Sequence, residues 1–242
     1  MEKLKKNRRT YLILRDVIAE KIASGFYQAN QRLPSERELA EELQTTRLTL
    51  RDALFQLEIE GQVFRMDRRG WYVSGKRLSF DIGLDKGFMT NVSDQGYIPT
   101  TELIFCEEEM ASSMLAEALN ISKGDPVYHI QRKRSINNRP VLIEDIYLDL
   151  SRYPGLHHAN LDSSLSVVLA DIYGIKVKYS DIQITPIAFN DLHAKSLHVS
   201  PGTPGTLITR TSYDADCKVM EFDQEYWLSD VLRVELRTSN KY

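Results

Sequence analysis

The chain has 242 residues, 42% of them apolar and 27% charged, with a net charge of −3. That is enough for two ordinary domains with real cores, while the lack of any run of about 18 apolar residues excludes a helical membrane span. Nothing of signal-peptide type follows the basic residues 1–9, and the two cysteines, Cys106 and Cys217, form no disulfide framework, so a cytoplasmic protein is expected.

Charge is unevenly divided. Residues 1–77 hold 16 Lys/Arg against 11 Asp/Glu, and the remainder holds 15 against 23. A basic head on an acidic body points to a polyanionic partner at one end only. Tyr11, Leu14, Val17, Ile18 and Ile22 recur at helical spacing, and Gly25 stops that helix. Ser35, with Glu38 three residues on, forms a capping box for a second helix whose buried face is Leu39 and Leu43. Residues 44–46 make a turn. A third helix runs from about Arg47 to Glu60, with Leu50, Ala53, Leu54 and Leu57 inside and Arg47, Thr49 and Arg51 outside.

Two short strands, residues 62–65 and 71–74, then flank a turn carrying Arg68, Arg69 and Gly70. Three helices followed by a hairpin are a winged helix-turn-helix. In that layout Arg47 or Arg51 can pair with a guanine in the major groove, Arg37 and Thr49 suit phosphates, and the wing arginines suit the minor groove. A helical protein-binding module with a solvated arginine face is the alternative. The capping box, the threonine-rich turn and the Arg/Gly hairpin together favour DNA.

Pro34-Ser35-Glu36-Arg37-x-Leu39-Ala40, then Arg47-x-Thr49-x-Arg51-x-Ala53-Leu54-x-x-Leu57 and Gly61, resembles the head of the GntR family of bacterial repressors over about residues 10–75. That family usually has a Gly-x-Gly wing turn. Here Arg68 takes the first glycine's place, which implies a wing that departs from the family's norm.

Residues 78–86 read as a linker or an exchanged strand, and residues 87–242 as a second domain. Residues 127–134, 143–150, 183–187, 206–213 and 219–228 carry strand patterns. Helical signals lie at 107–119, 164–173 and 191–197. The fold class is therefore α+β: an N-terminal winged helix-turn-helix domain joined to a C-terminal α+β effector domain on an antiparallel sheet. Arg132-x-Arg134, the Arg139-Pro140 turn leading to Glu144, Ser164-Leu165, the run from Glu221 to Trp227, and Asp230 resemble the HutC subfamily, whose effector domain is called UTRA.

Arg132 and Arg134 stand two apart on a strand and so share a face, where an anion would relieve their repulsion. A solvated edge is the alternative. The resemblance implies that these arginines face an effector, and that Phe88, Met89 and Thr90 belong to an anion-holding loop. Met89 stands where a serine is common in that family. Ser164 serves either as a simple helix cap or as an anion ligand at a helix N-terminus. Glu221 and Asp223 also share a face; with Glu144 and Trp227 they suit the ammonium or hydroxyl end of a small ligand, or else they salt-bridge the arginines.

The five histidines, His129, His157, His158, His193 and His198, show no metal-binding spacing, and no nucleophile elbow or phosphate loop occurs. No enzyme, no metal and no cofactor is expected. The implied partners are double-stranded operator DNA, a small anionic effector such as a phosphonate, phosphorylated or carboxylate metabolite, and a second copy of the chain as a homodimer.

Overall fold

A computed structural model describes residues 2–83 and 86–237, with side chains described from Thr10 onward. The chain divides into two compact units, neither of them continuous in sequence. The first comprises residues 1–79, 188–204 and 229–234. It opens with α1 (Glu2–Ala23), α2 (Glu36–Glu42) and α3 (Arg47–Ile59), followed by the hairpin β1 (Val63–Met66) and β2 (Gly70–Val73).

Local chemistry sets these boundaries. Ser35 Oγ accepts from the Glu38 amide at 3.3 Å and the Glu38 carboxylate accepts from the Ser35 amide at 2.8 Å, which is the expected capping box. Gln44 takes a left-handed conformation (φ 48°) in the turn, and Thr46 Oγ1 accepts from the Thr49 amide to start α3. Ile18, Leu39, Leu50, Leu54, Leu57, Val63 and Trp71 fill one core between helices and hairpin. Burying a leucine of this kind contributes about 1.5–3 kcal/mol.

Two distant segments join this unit. Residues 188–204 contain α7 (Asp191–Ser196), and the Asp67 amide in the wing donates to the His198 carbonyl at 3.0 Å. Residues 229–234 follow, with the Leu78 amide donating to the Val231 carbonyl at 2.7 Å. Part of the expected linker is thus a strand, β3 (Leu78–Asp81), paired with β10 (Leu232–Glu235). Residues 84 and 85 of that stretch lie outside the described residues.

The second unit is built on a six-stranded sheet in the order β4-β5-β6-β9-β8-β7: β4 (Pro99–Met110), β5 (Pro126–Ile136), β6 (Arg139–Asp149), β9 (Val219–Leu228), β8 (Pro204–Tyr213) and β7 (Tyr179–Ala188). The pairs from β4 through β9 to β8 are antiparallel. Helix α6 (Leu165–Tyr173) packs Leu165, Val168 and Leu169 on one face against Tyr128, Ile130, Ile146 and Leu148. Helix α5 (Ser113–Leu119) packs Leu115, Ala116 and Leu119 with Val127 and Phe222. A short helix, α4 (Phe88–Asp94), completes the unit.

The helical signal expected over 107–119 is half wrong. Residues 107–110 belong to β4, where Glu107, Glu108 and Glu109 pair with His129, Tyr128 and Val127, and the helix starts only after Ser112 caps it. An acidic run on an edge strand carries no apolar alternation, so its strand character is invisible to periodicity.

Candidate DNA interface and effector pocket

In the first unit, the start of α2, the start of α3 and the hairpin enclose a notch of about 540 Å³. Arg37, Arg47 and Arg51 line it from the helices, and Arg65, Arg68, Arg69 and Gly70 from the wing, with Arg32 between. Arg37, Arg47, Arg51, Arg68 and Arg69 are exposed. Arg51 is tethered: its Nη2 donates to Glu36 Oε2 at 2.7 Å, while Glu36 Oε1 accepts from Trp71 Nε1 at 3.1 Å. Burial alone would raise the Glu36 carboxyl, but Arg51 and Trp71 outweigh it and hold it below its ordinary value. A basic notch at a helix N-terminus, backed by a basic wing, suits two adjacent phosphates and a groove.

Thr49 does not point outward as expected. It is buried, and its hydroxyl lies 2.9 Å from Thr46 Oγ1, turned back onto the cap of its own helix. Leu48, at 64% exposure, holds the outer position instead.

In the second unit, the structure brings Phe88, Met89, Thr90, Arg132, Arg134, Glu144, Ser164, Glu221, Asp223 and Trp227 into the lining of one cavity of about 630 Å³. Register explains the gathering. Arg132 pairs with Glu144, Glu144 with Glu225, and Glu225 with Ile208, so one row of side chains crosses the floor. A second row runs from Ile146 through Asp223 to Arg210. Side chains alternate along a strand, so Glu221, Asp223, Glu225 and Trp227 all stand on this face.

The two arginines already hold an anion between them, and it is Glu144. Arg132 Nε donates to Glu144 Oε2 at 2.7 Å, and Arg134 Nη2 donates to both Glu144 oxygens at 2.9 Å. Burial would push Glu144 up, but the two guanidiniums outweigh it and hold its carboxyl at about 2. Arg132 Nη1 is spent on the Leu161 and Ser163 carbonyls. Among the described residues, Arg132 Nη2 and Arg134 Nη1 have no hydrogen-bond partner, and these are the donors left for a ligand. Arg134 also lies over the Phe88 ring, 5.0 Å from its centre.

Beside them α6 begins. Ser164 is its N-cap, yet its hydroxyl makes no capping bond, and a Cβ on Gly87 would stand 3.6 Å from that hydroxyl. The amides of Leu165 and Ser166, which open α6, have no acceptor within the helix, whereas that of Val167 donates to the Ser164 carbonyl at 3.1 Å, and all three residues line the cavity. Trp227, Phe80 and Phe88 form an aromatic wall, and Trp227 Nε1 donates to Glu225 Oε2 at 2.7 Å.

The sequence reading missed Glu225 and Arg210. Glu225 stands two residues beyond Asp223 on a strand already recognised, so period-two counting reaches it; Arg210 lies on the recognised strand 206–213, but only cross-strand register places it opposite Asp223. Burial pushes Glu221 and Asp223 upward, Asp223 well above the usual range because Glu225 adds repulsion that Arg210 only partly offsets.

Residues 94–233 match the UTRA domain family, and residues 10–73 match the family described as bacterial regulatory proteins, gntR family. The chain belongs to the GntR family, with a UTRA effector domain of the HutC type. It is 29% identical over 209 residues to the uncharacterized transcriptional regulator YihL of Escherichia coli, covering 85% of this chain and 88% of that protein. It is 26% identical over 232 residues to the probable fructoselysine utilization operon transcriptional repressor of E. coli, covering 96% and 94%. Among solved structures, PhnF from Mycobacterium smegmatis superposes with a TM-score of 0.67 at 25% identity, covering 96% of this chain and 100% of that one.

This GntR regulator is therefore a ligand-responsive transcription factor and not an enzyme. Its winged head is the DNA-binding part and its UTRA domain the effector-binding part. No helix among the described residues is long and apolar enough to cross a membrane. In the wing, Arg68 takes a left-handed conformation (φ 57°) that glycine adopts more readily, and Gly70 follows at φ 95°. An arginine in that conformation carries strain on the order of 1–2 kcal/mol.

Proposed function

We propose that this regulator is a cytoplasmic repressor of a metabolic operon that binds a pseudo-palindromic operator as a homodimer and is released by a small anionic effector. The observation that supports the effector class is the N-terminus of α6, uncapped by any side chain: Ser164, Leu165 and Ser166 line the same cavity as Arg132 and Arg134. A phosphonate or phosphate has three acceptor oxygens for these donors; a carboxylate has two. The names of two relatives support a catabolic operon: a probable fructoselysine utilization repressor and a mannosyl-D-glycerate transport/metabolism system repressor, each covering 96% of this chain at 26% identity.

DNA geometry supports the homodimer. One winged head makes too few base contacts for specificity, and two-fold symmetry doubles them. The effector relieves repression only if it binds the released arrangement of the heads more tightly than the DNA-bound one.

A thermal-shift screen of the purified protein against phosphonates, sugar phosphates and carboxylates tests this. An effector present at about 100 times its Kd adds roughly 2.7 kcal/mol of stability. We expect a hit among the phosphorus anions that is lost in Ser164→Ala and in Arg132→Ala. A hit confined to uncharged compounds would overturn the anionic reading.

A further inference from the structure

We infer that the floor of this pocket holds a second subsite, built on Asp223 and Glu225, which takes a primary or secondary ammonium group of the effector in exchange for a proton. The inference rests on the anionic-effector reading and adds a class to it: the effector is a zwitterion whose anion lies at α6 and whose ammonium lies on β9.

The charges of the floor are unevenly spent. Glu144 is fully occupied by Arg132 and Arg134. That leaves Glu221, Asp223 and Glu225 to share Arg210, whose Nη2 reaches Glu225 Oε1 only at 3.5 Å. Glu225 has a second partner in Trp227 Nε1 and Glu221 has one in the Ser212 hydroxyl at 3.3 Å. Asp223 has neither kind of support among the described residues: it is 4% exposed and its Oδ1 accepts no hydrogen bond from them. A buried carboxylate without a donor is costly, so burial favours the protonated form of Asp223 in the empty pocket. Its environment agrees. Burial, Glu225, Glu221 and Glu144 all favour the protonated form, and Arg210 alone among its close neighbours opposes it. Arg132 and Arg134, which bond Glu144, line the same cavity and oppose it from farther off, as does Lys176 after α6, while Asp171 of α6 adds negative charge.

An oxygen each from Glu144, Asp223 and Glu225 lies within 4.8 Å of the others, which also suggests a metal. A divalent ion fits poorly, because it would have to pull Glu144 from two guanidiniums and sit among three arginines. An ammonium carries one charge and donates directed hydrogen bonds, to the Asp223 carboxylate and to Glu225, without disturbing Glu144. The exchange balances: the ammonium enters with its charge, the Asp223 carboxyl loses its proton to solvent, and the net charge of the site does not change.

The test is calorimetric titration of the full chain with matched probes, 2-aminoethylphosphonate and 3-aminopropylphosphonate against ethylphosphonate and propylphosphonate, each in two buffers of different ionisation enthalpy. We expect the amino probes to bind at least tenfold more tightly, on the order of 1.4 kcal/mol. We also expect wild type to release close to one proton more than Asp223→Asn when the amino probes bind at neutral pH, the phosphonate's own ionisation being common to both proteins, and Asp223→Asn to bring the amino-to-alkyl affinity ratio near one. If the variant folds poorly, 3-aminopropionate against propionate, whose carboxylates are fully ionised at neutral pH, gives the proton count on wild type alone. Equal or tighter binding of the alkyl probes, or amino binding without that extra proton, overturns the ammonium subsite and leaves the anion site standing. No binding by any probe at millimolar concentration overturns both.

Discussion

Arg132 Nε and Glu144 Oε2 lie 2.7 Å apart across adjacent strands, with both side chains almost wholly buried. The pocket's central ion pair is therefore part of the fold, and an effector meets arginines already half-neutralised. Removing one member of a buried pair costs about 3–5 kcal/mol because the other charge is stranded, whereas removing both costs less. Glu144→Ala is expected to destabilise the effector domain by about that amount, and Arg132→Ala to lie at the low end because Arg134 still holds Glu144. The double variant Arg132→Ala/Glu144→Ala should be more stable than the sum of the singles predicts. Chemical denaturation of all three checks this; strict additivity would show that the pair is uncoupled.

Arg47→Ala and Arg51→Ala should each weaken operator binding by about 1–3 kcal/mol and reduce sequence discrimination. Thr49→Ala should leave operator affinity nearly unchanged, since its hydroxyl is turned onto Thr46. Fluorescence anisotropy separates the two behaviours, and a loss for Thr49→Ala as large as that for the arginines would contradict the buried placement.

Arg68→Gly separates stability from function in one substitution. Glycine relieves the left-handed strain at φ 57°, so the head should gain up to about 1 kcal/mol. It also removes a side chain that is 92% exposed at the wing tip, so operator affinity should fall. A variant that is both more stable and equally tight on DNA would mean that the wing tip does not touch it.

Glu58, near the end of α3, is buried with one oxygen unpartnered, and burial, with Asp230 adding repulsion, pushes its carboxyl up to about 7. Between about pH 4.5 and 7 the folded state binds more protons than the unfolded chain, so the stability of the head falls as pH rises through that window. The difference between wild type and Glu58→Gln isolates this group. The variant's advantage should grow by a few kcal/mol between about pH 4.5 and 7 and level off above, on the scale of about 1.4 kcal/mol per pH unit. A constant difference across pH would show that Glu58 is ionised throughout.

The parts of the molecule legible in the sequence are those fixed locally. The Ser35–Glu38 box, the Thr46 cap and the stripe of Leu50, Ala53, Leu54 and Leu57 need only neighbours within a few residues. Period-two counting likewise put Arg132 with Arg134, and Glu221 with Asp223, on common faces. What escaped depends on pairing between distant strands: that Glu144 lies between the arginines, and that Arg210 faces Asp223, follow from register. The inclusion of residues 188–204 and 229–234 in the head's unit is of the same kind, because nothing within those segments marks the wing as their neighbour.

The central claim is that a small anion at Ser164, Arg132 and Arg134 controls DNA binding. It is tested most directly by operator-binding anisotropy with and without the best phosphorus-anion hit, using a duplex selected by the protein itself from random sequence. The account predicts that the hit weakens wild-type operator binding at least tenfold and leaves Ser164→Ala bound, with the effector-free affinities of the two proteins alike. An equal response from Ser164→Ala, or operator binding indifferent to every anion, would contradict it.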